Sequence, residues 1–543
     1  MKRFGMLIGL CAGVSACATQ NNGLASSGTT EPADTPVLAA DNLPDYYQPI
    51  ALIPTATGTH EWPISTENPT AQAYFNQGMQ LRWAYNVNEA ARSMAEARRA
   101  DPDCAMCYWG EAFALGSFLN QKMSPEKAVH AHAAITKAVE LSEGMNGLER
   151  DLILATAVRY PANFDTSTQR RDDEAFASEM AKLYERYPDN HEIATVYAVS
   201  LFLLEKRAGT RDLQDPDVIR LHGVLKGVLD ENIYHPGACH LYIHATESTE
   251  DPGLALECAE YLSDAIPVAS HVQHMPSHTW NEVGQWGKSV RAGQLAARSD
   301  AMAQEDLGFS YGAAHNLHMM LFAASMDGQG AVAMQAGRDF TKATGGNTFH
   351  ELLTLFRFGR FEEILEIDTQ PPGEVGEGFW HFVRGYAELR EGSLEAAEMH
   401  HARLKDLAEN STDTLSYHAA MQLLGVAEGI LAGEMLRSEG DLDGAILAFK
   451  RAAASDDQQV YAEPEPINFA ARHWLGAALL EAGRYAEAEE VYRTELADHP
   501  HNVWSLHGLK TALEAQGKSD AEVEADFADG TARADLWIPA SRF

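Results

Sequence analysis

Six histidines, with Glu247 at helical spacing from two of them, fall within 44 residues of this chain. The first group reads His235-Pro-Gly-Ala-Cys-His240-Leu-Tyr-Ile-His244-Ala-Thr-Glu247, the second His271-Val-Gln-His274-Met-Pro-Ser-His278-Thr-Trp280. Imidazole is the commonest protein ligand for transition metals, and packing alone rarely asks for so many so close together. Residues three or four apart share a helix face. His240, His244 and Glu247 therefore form one stripe and His274 and His278 another, which His271 joins where the chain is helical. Pro276 favours a helix that starts near it, leaving His271 and His274 in the loop before; Pro236-Gly237 likewise places His235 just ahead of a helix.

An imidazole set with one carboxylate suits copper, zinc, iron or nickel. Six histidines exceed one zinc site, so they serve two ions, or one ion with supporting neighbours and an acid–base group. His240, His244, His274 and His278 are the leading ligands, followed by His235 and His271. Glu247 reads as a ligand, or as a general base that takes a proton from metal-bound water or substrate. His315 and His318 belong to a third such helix and add candidate ligands or partners. Nearby Met275, Met319 and Met320 favour copper or are ordinary core residues. No histidine pair encloses the glutamate of a His-Glu-x-x-His protease, so a standard metallopeptidase is not expected. Cys104-Ala-Met-Cys107 has the spacing of a thiol centre or metal knuckle but stands alone at the start of an aromatic helix. Cys239 is a soft ligand beside His240 or a bridge to Cys258 on the paired helix.

The elements that carry these residues read as helices throughout. Trp474-Leu-Gly-Ala-Ala-Leu-Leu-Glu-Ala-Gly483 and Trp504-Ser-Leu-His-Gly508 each lead to a glycine turn, and Gly483 to Gly517 spans 34 residues, the tetratricopeptide period. Gly476 and Gly508 let paired helices approach closely. Gly359, Gly392 and Gly440 mark looser turns upstream. Alternating runs of β-branched residues are missing. The expected fold is all-α, a tetratricopeptide-repeat α-α superhelix or solenoid. The histidine segments are first helices of successive pairs, with the earlier partner at Leu254 to Leu262 and the later one after Gly284.

Lys2-Arg3, an apolar run and Val14-Ser15-Ala16-Cys17 read as a lipoprotein signal over 1–16, with Cys17 lipidated. The run is too short to span a membrane. Residues 17–45 form a flexible tether. Then follow N-terminal helical pairs (46–230), the histidine-rich segment (231–330) and a C-terminal array (331–543). A net charge of −37 makes nucleic acid and anionic membranes poor partners.

The chain resembles a bacterial family of secreted or lipid-anchored tetratricopeptide-repeat proteins. The matching stretches are Asp101 to Gly110, His235 to Glu247, His274-Met-Pro-Ser-His278, and Glu463-Pro464, Arg472 and Leu475 to Leu480. The resemblance implies the repeat fold and gives weight to the histidines; it implies no reaction. The expectation is a periplasm-facing lipoprotein, held at the outer membrane only through Cys17, with copper, zinc or iron in its groove. It is either an oxidoreductase or hydrolase acting on a small molecule or peptide in the concave groove, or a non-catalytic scaffold or metal store that recruits envelope proteins.

Overall fold

Glycine and proline punctuation turns this chain into a succession of helices, most of which pack chiefly on the next one in sequence. The computed structural model describes residues 45–542 apart from 54–56, 206–209, 304 and 306–307; the expected signal, Cys17 and the tether up to residue 44 lie outside the described residues. The turn glycines named from sequence, Gly359, Gly392, Gly440, Gly483 and Gly517, all take positive φ, between 65° and 88°. That left-handed conformation ends a helix at no steric cost only for glycine. Gly476 and Gly508 both face the Tyr492 ring, where an added Cβ would stand 2.3 and 2.1 Å from its Cζ. Their missing side chains make room for that ring between two helices.

Strand is confined, among the described residues, to a two-residue antiparallel pair, Thr414–Leu415 with His418–Ala419. No described helix is long and apolar enough to cross a membrane. One large apolar core runs from Tyr46 to Ala292 and a second from Phe349 to Val523. Smaller clusters at Trp286–Phe322–Met326 and Val503–Trp504–Ile538 join them. The C-terminal repeats also return to the middle of the chain: Trp286 Nε1 donates to Pro500 O at 2.9 Å, and Trp504 Nε1 to Ser325 O at 2.8 Å.

Three helical pairs carry the histidines. Pro236–Thr246 packs on Leu256–Ala265, which a 3-10 turn at Pro252–Ala255 precedes, so the partner starts two residues later than the sequence suggests. Ser270–His274 and Pro276–Glu282 pack on Trp286–Ala303, and Ala313–Met326 packs on Gly330–Ala343. His271 and His274 are thus helical rather than in a loop. Met275 keeps right-handed helical angles between the two short pieces, and only the N–H that Pro276 lacks separates them. The four-residue spacing of His274 and His278 therefore survives the proline.

Candidate metal centre

His240 and His244 lie on Pro236–Thr246, His271 and His274 on Ser270–His274, His278 on Pro276–Glu282, and His315 on Ala313–Met326. Four groups of ligand atoms come within 4.8 Å of one another among the described residues: His240 with His244 and His271; His274 with His278 and His315; His244 with Glu247, His278 and Glu463; and His60 with Glu192 and His235. All six predicted histidines and Glu247 are buried; His315 is half-buried.

Backbone and carboxylate oxygens lie against Nδ1 of three of the rings. His240 Nδ1 donates to the Trp83 carbonyl. His244 Nδ1 lies 2.9 Å from Glu247 Oε1, and His278 Nδ1 lies 2.8 Å from Glu247 Oε2. A carboxylate or carbonyl behind Nδ1 fixes the tautomer and points Nε2 at a metal. Across the gap, His240 Nε2 and His271 Nε2 are 3.2 Å apart, and so are His271 Nδ1 and His274 Nε2. Two nitrogens on one tetrahedral zinc would be roughly 3.3 Å apart. His274 Nδ1, fully buried, has no hydrogen-bond partner among the described residues. Burial, then repulsion from neighbouring imidazoles, holds His240, His271 and His274 well below the usual histidine pKa. They are neutral at neutral pH, the form that binds metals.

Aromatic rings close one side. Tyr85, at φ 59° in the loop after Pro69–Trp83, stacks on His271 at 5.2 Å and touches His240 at 4.3 Å. Tyr311 meets His271 edge-on at 4.7 Å. On the other side, a cavity of about 500 Å³ reaches Glu247 and is lined by Glu282, Asp456, Asp457, Tyr461, Glu465 and Asp498, with Arg472 and His499. A smaller cavity of about 40 Å³ shares Glu282, Tyr461 and Glu465 with it and reaches His278 and Glu463. Arg472 is engaged by both carboxylate oxygens of Asp457, at 2.5 and 2.9 Å. Burial, with Glu465 adding repulsion, raises Glu282 to about 8. Burial likewise raises Asp456 to about 7.

Of the predicted ligands, the structure brings together His240, His244, His271, His274 and His278, and it adds His315. His235 goes elsewhere. It caps its own helix, its Nδ1 accepting the Ala238 N–H at 3.1 Å. With that lone pair used, Nε2 carries the proton; it faces Glu192 Oε2 at 3.4 Å and Thr195 Oγ1 at 3.3 Å. His60 reaches the other Glu192 oxygen at 2.7 Å. His235, Glu192 and His60 thus form a hydrogen-bonded set apart from the other predicted histidines, and the same three are one of the four candidate ligand groups. Glu247, expected as ligand or general base, pairs with His244 Nδ1 through one oxygen, lies 2.8 Å from His278 Nδ1 through the other, and with His244, His278 and Glu463 makes one of the candidate ligand groups. His318 turns away from the centre and packs on His350, ring centroids 3.8 Å apart. Cys104 and Cys107 are disulfide-bonded, as are Cys239 and Cys258, so none of the four is a thiolate ligand here. The acidic cavity was missed from sequence because its lining runs from Thr210 to His499 with no local motif.

A tetratricopeptide-repeat family model matches residues 436–513. No curated protein sequence matches the chain. Among solved structures, the human IFIT1 dimer with m7Gppp-AAAA is 13% identical, covering 87% of this chain and 92% of its own, at a TM-score of 0.29. The Cut9–Hcn1 hetero-tetramer of the APC/C is 12% identical, covering 87% and 89%, at 0.27. The TPR domain of P58(IPK) is 11% identical, covering 82% and 98%, at 0.22.

Proposed function

We propose that this chain is a metal-dependent protein whose histidine centre binds a transition ion, copper or zinc before iron, and acts on a small organic substrate in the cavity beside Glu247. The observation that carries the reading is the convergence of six imidazoles from four helices, with Glu247 beside His244 and His278. An all-nitrogen set suits copper, zinc and iron, and the buried neutral rings of His240, His271 and His274 suit any of them. A bound ion supplies Lewis-acid polarisation if it is zinc, and oxidation of the substrate becomes available if it is copper or iron.

The remaining roles belong to this chain's own groups. The 500 Å³ cavity falls in the size range of small-molecule pockets. Its carboxylates favour a neutral or cationic substrate and disfavour an anionic one. Glu282 lines both cavities, and its raised pKa suits a carboxyl that holds or moves a proton near neutral pH. The two disulfides support an oxidising compartment, in keeping with a periplasmic lipoprotein anchored through Cys17. A second reading, a metal-holding scaffold for envelope proteins, draws on the tetratricopeptide match at 436–513.

Elemental analysis of protein folded in its export compartment tests the proposal, with the His244→Ala/His278→Ala double variant beside it. Stoichiometric copper or iron, lost in the variant, supports an oxidoreductase; stoichiometric zinc supports a hydrolase. Equal metal in both proteins, or none in either after reconstitution, removes the centre from consideration.

A further inference from the structure

Resting on that metal-site reading, we propose that the centre is binuclear: His240, His244 and His271 hold one ion, and His274, His278 and His315 hold the other. Each trio gathers a ligand atom from every member within 4.8 Å. Three imidazoles are a full protein donor set for an ion that keeps a position open for an outside ligand. Neither trio needs a residue of the other. The carboxylate of Glu247 is shared between them, one oxygen on His244 and the other on His278, so a single orienting group serves both halves.

The proton count separates the two halves. Without ions, three ring protons run in one direction: His274 Nε2–H to His271 Nδ1, His271 Nε2–H to His240 Nε2, and His240 Nδ1–H to the Trp83 carbonyl. That direction follows from the Trp83 oxygen, which can only accept. It leaves His274 with a bare lone pair on Nδ1, the buried nitrogen without a partner. An ion taken on that nitrogen leaves the ring proton of His274 where it is. His271 is not so placed, because its Nε2 still carries a proton. An ion there moves that proton, and the 3.2 Å contact between His271 and His274 holds one proton where two neutral ligand rings would bring two. The His274–His278–His315 set fills first, and the His240–His244–His271 set fills second and more weakly.

The test is copper(II) loading of the full-length, chelator-stripped protein by dialysis against a weak competing chelator, read by elemental analysis and by electron paramagnetic resonance. Two ions per chain are expected, binding in two resolved steps. The spin signal should fall below the copper count on filling the second site, because neighbouring copper(II) ions couple. His315→Ala should abolish the tighter step and His240→Ala the weaker one, each variant keeping one ion whose signal accounts for all its copper. One ion per chain in the unaltered protein, lost entirely in either variant, overturns the binuclear assignment and leaves a single-ion centre. No ion at all in the unaltered protein overturns both this assignment and the metal-site reading. The unaltered protein's stoichiometry decides the matter even if a variant fails to fold.

Discussion

His240 hands its Nδ1 proton to the carbonyl oxygen of Trp83, a residue 157 positions earlier in the chain. The Trp83 indole in turn lies over Gly237, in the first turn of the helix that bears His240. A Cβ at Gly237 would come within 2.5 Å of the indole Cδ2. Gly237→Ala is expected to push the tryptophan away, costing about 1–3 kcal/mol of stability. It should weaken metal binding although no ligand is changed. Chemical denaturation and a metal titration of the same variant check both; unaltered affinity would mean that the Trp83 carbonyl does not orient His240.

Glu247→Gln leaves shape nearly unchanged but replaces one of two accepting oxygens by an amide donor. His244 and His278 cannot then both keep an acceptor behind Nδ1. Metal affinity should fall about 10- to 100-fold, the usual cost of losing such a partner. A competition titration reads it, and a loss of fold seen by circular dichroism would show a structural role instead.

His235→Asn separates the capping residue from the centre. Asparagine caps a helix well, so the variant should fold and bind as much metal as the unaltered chain, whereas His274→Asn should not. A drop in metal content for His235→Asn would return His235 to the ligand set.

Glu282 carries a pH signature. Its folded pKa, about 8, lies above the usual glutamate value of 4.5. Folding therefore favours its protonated form. The group costs nothing below the unfolded value, and its ionisation erodes stability as pH rises from about 4.5 to about 8. Glu465, Glu247 and Asp498 reinforce this, and His499 opposes it. Glu282→Gln should match the unaltered metal-free protein near pH 4 and be the more stable of the two at pH 8. Equal melting curves at both pH values would argue for an ordinary solvated carboxylate.

The Cys239–Cys258 bridge closes a loop with a sequence separation of 19 next to His240. Its removal by the Cys239→Ala/Cys258→Ala double substitution should cost about 3 kcal/mol by the loop-entropy argument. Thermal melting in the absence of reductant measures this, and an unchanged midpoint would show that the bridge does not stabilise the fold.

Local pattern made the fold legible. Glycines at a 34-residue spacing fixed the helix turns at Gly483 and Gly517, because few other residues take that backbone conformation cheaply. The four-residue steps between His240 and His244, and between His274 and His278, put each pair on one face. Proximity in sequence does not sort the histidines into their spatial groups. His235 belongs to the same motif as His240, yet the Pro236 that follows it marks the first helical turn, and the residue before such a proline is a cap. His315 and His318 looked equivalent at a spacing of three, but only the tertiary packing sends one ring toward His274 and the other toward His350. The acidic cavity has no such spacing, since the irregular segment from Asp457 to Glu465 forms one wall and residues as distant as Thr210, Glu247 and Glu282 join it.

The roof that Trp83 and Tyr85 form over the histidines has a consequence for the order of assembly. His240 and His244, or His274 and His278, come together as soon as a single helical turn forms, and such local pairs appear quickly. Residues 83–85 must then find residues 240–271 across a long loop, a slow and entropically costly closure. The complete centre is thus a late product of folding, so metal capture should lag behind helix formation and report that the first helices have docked.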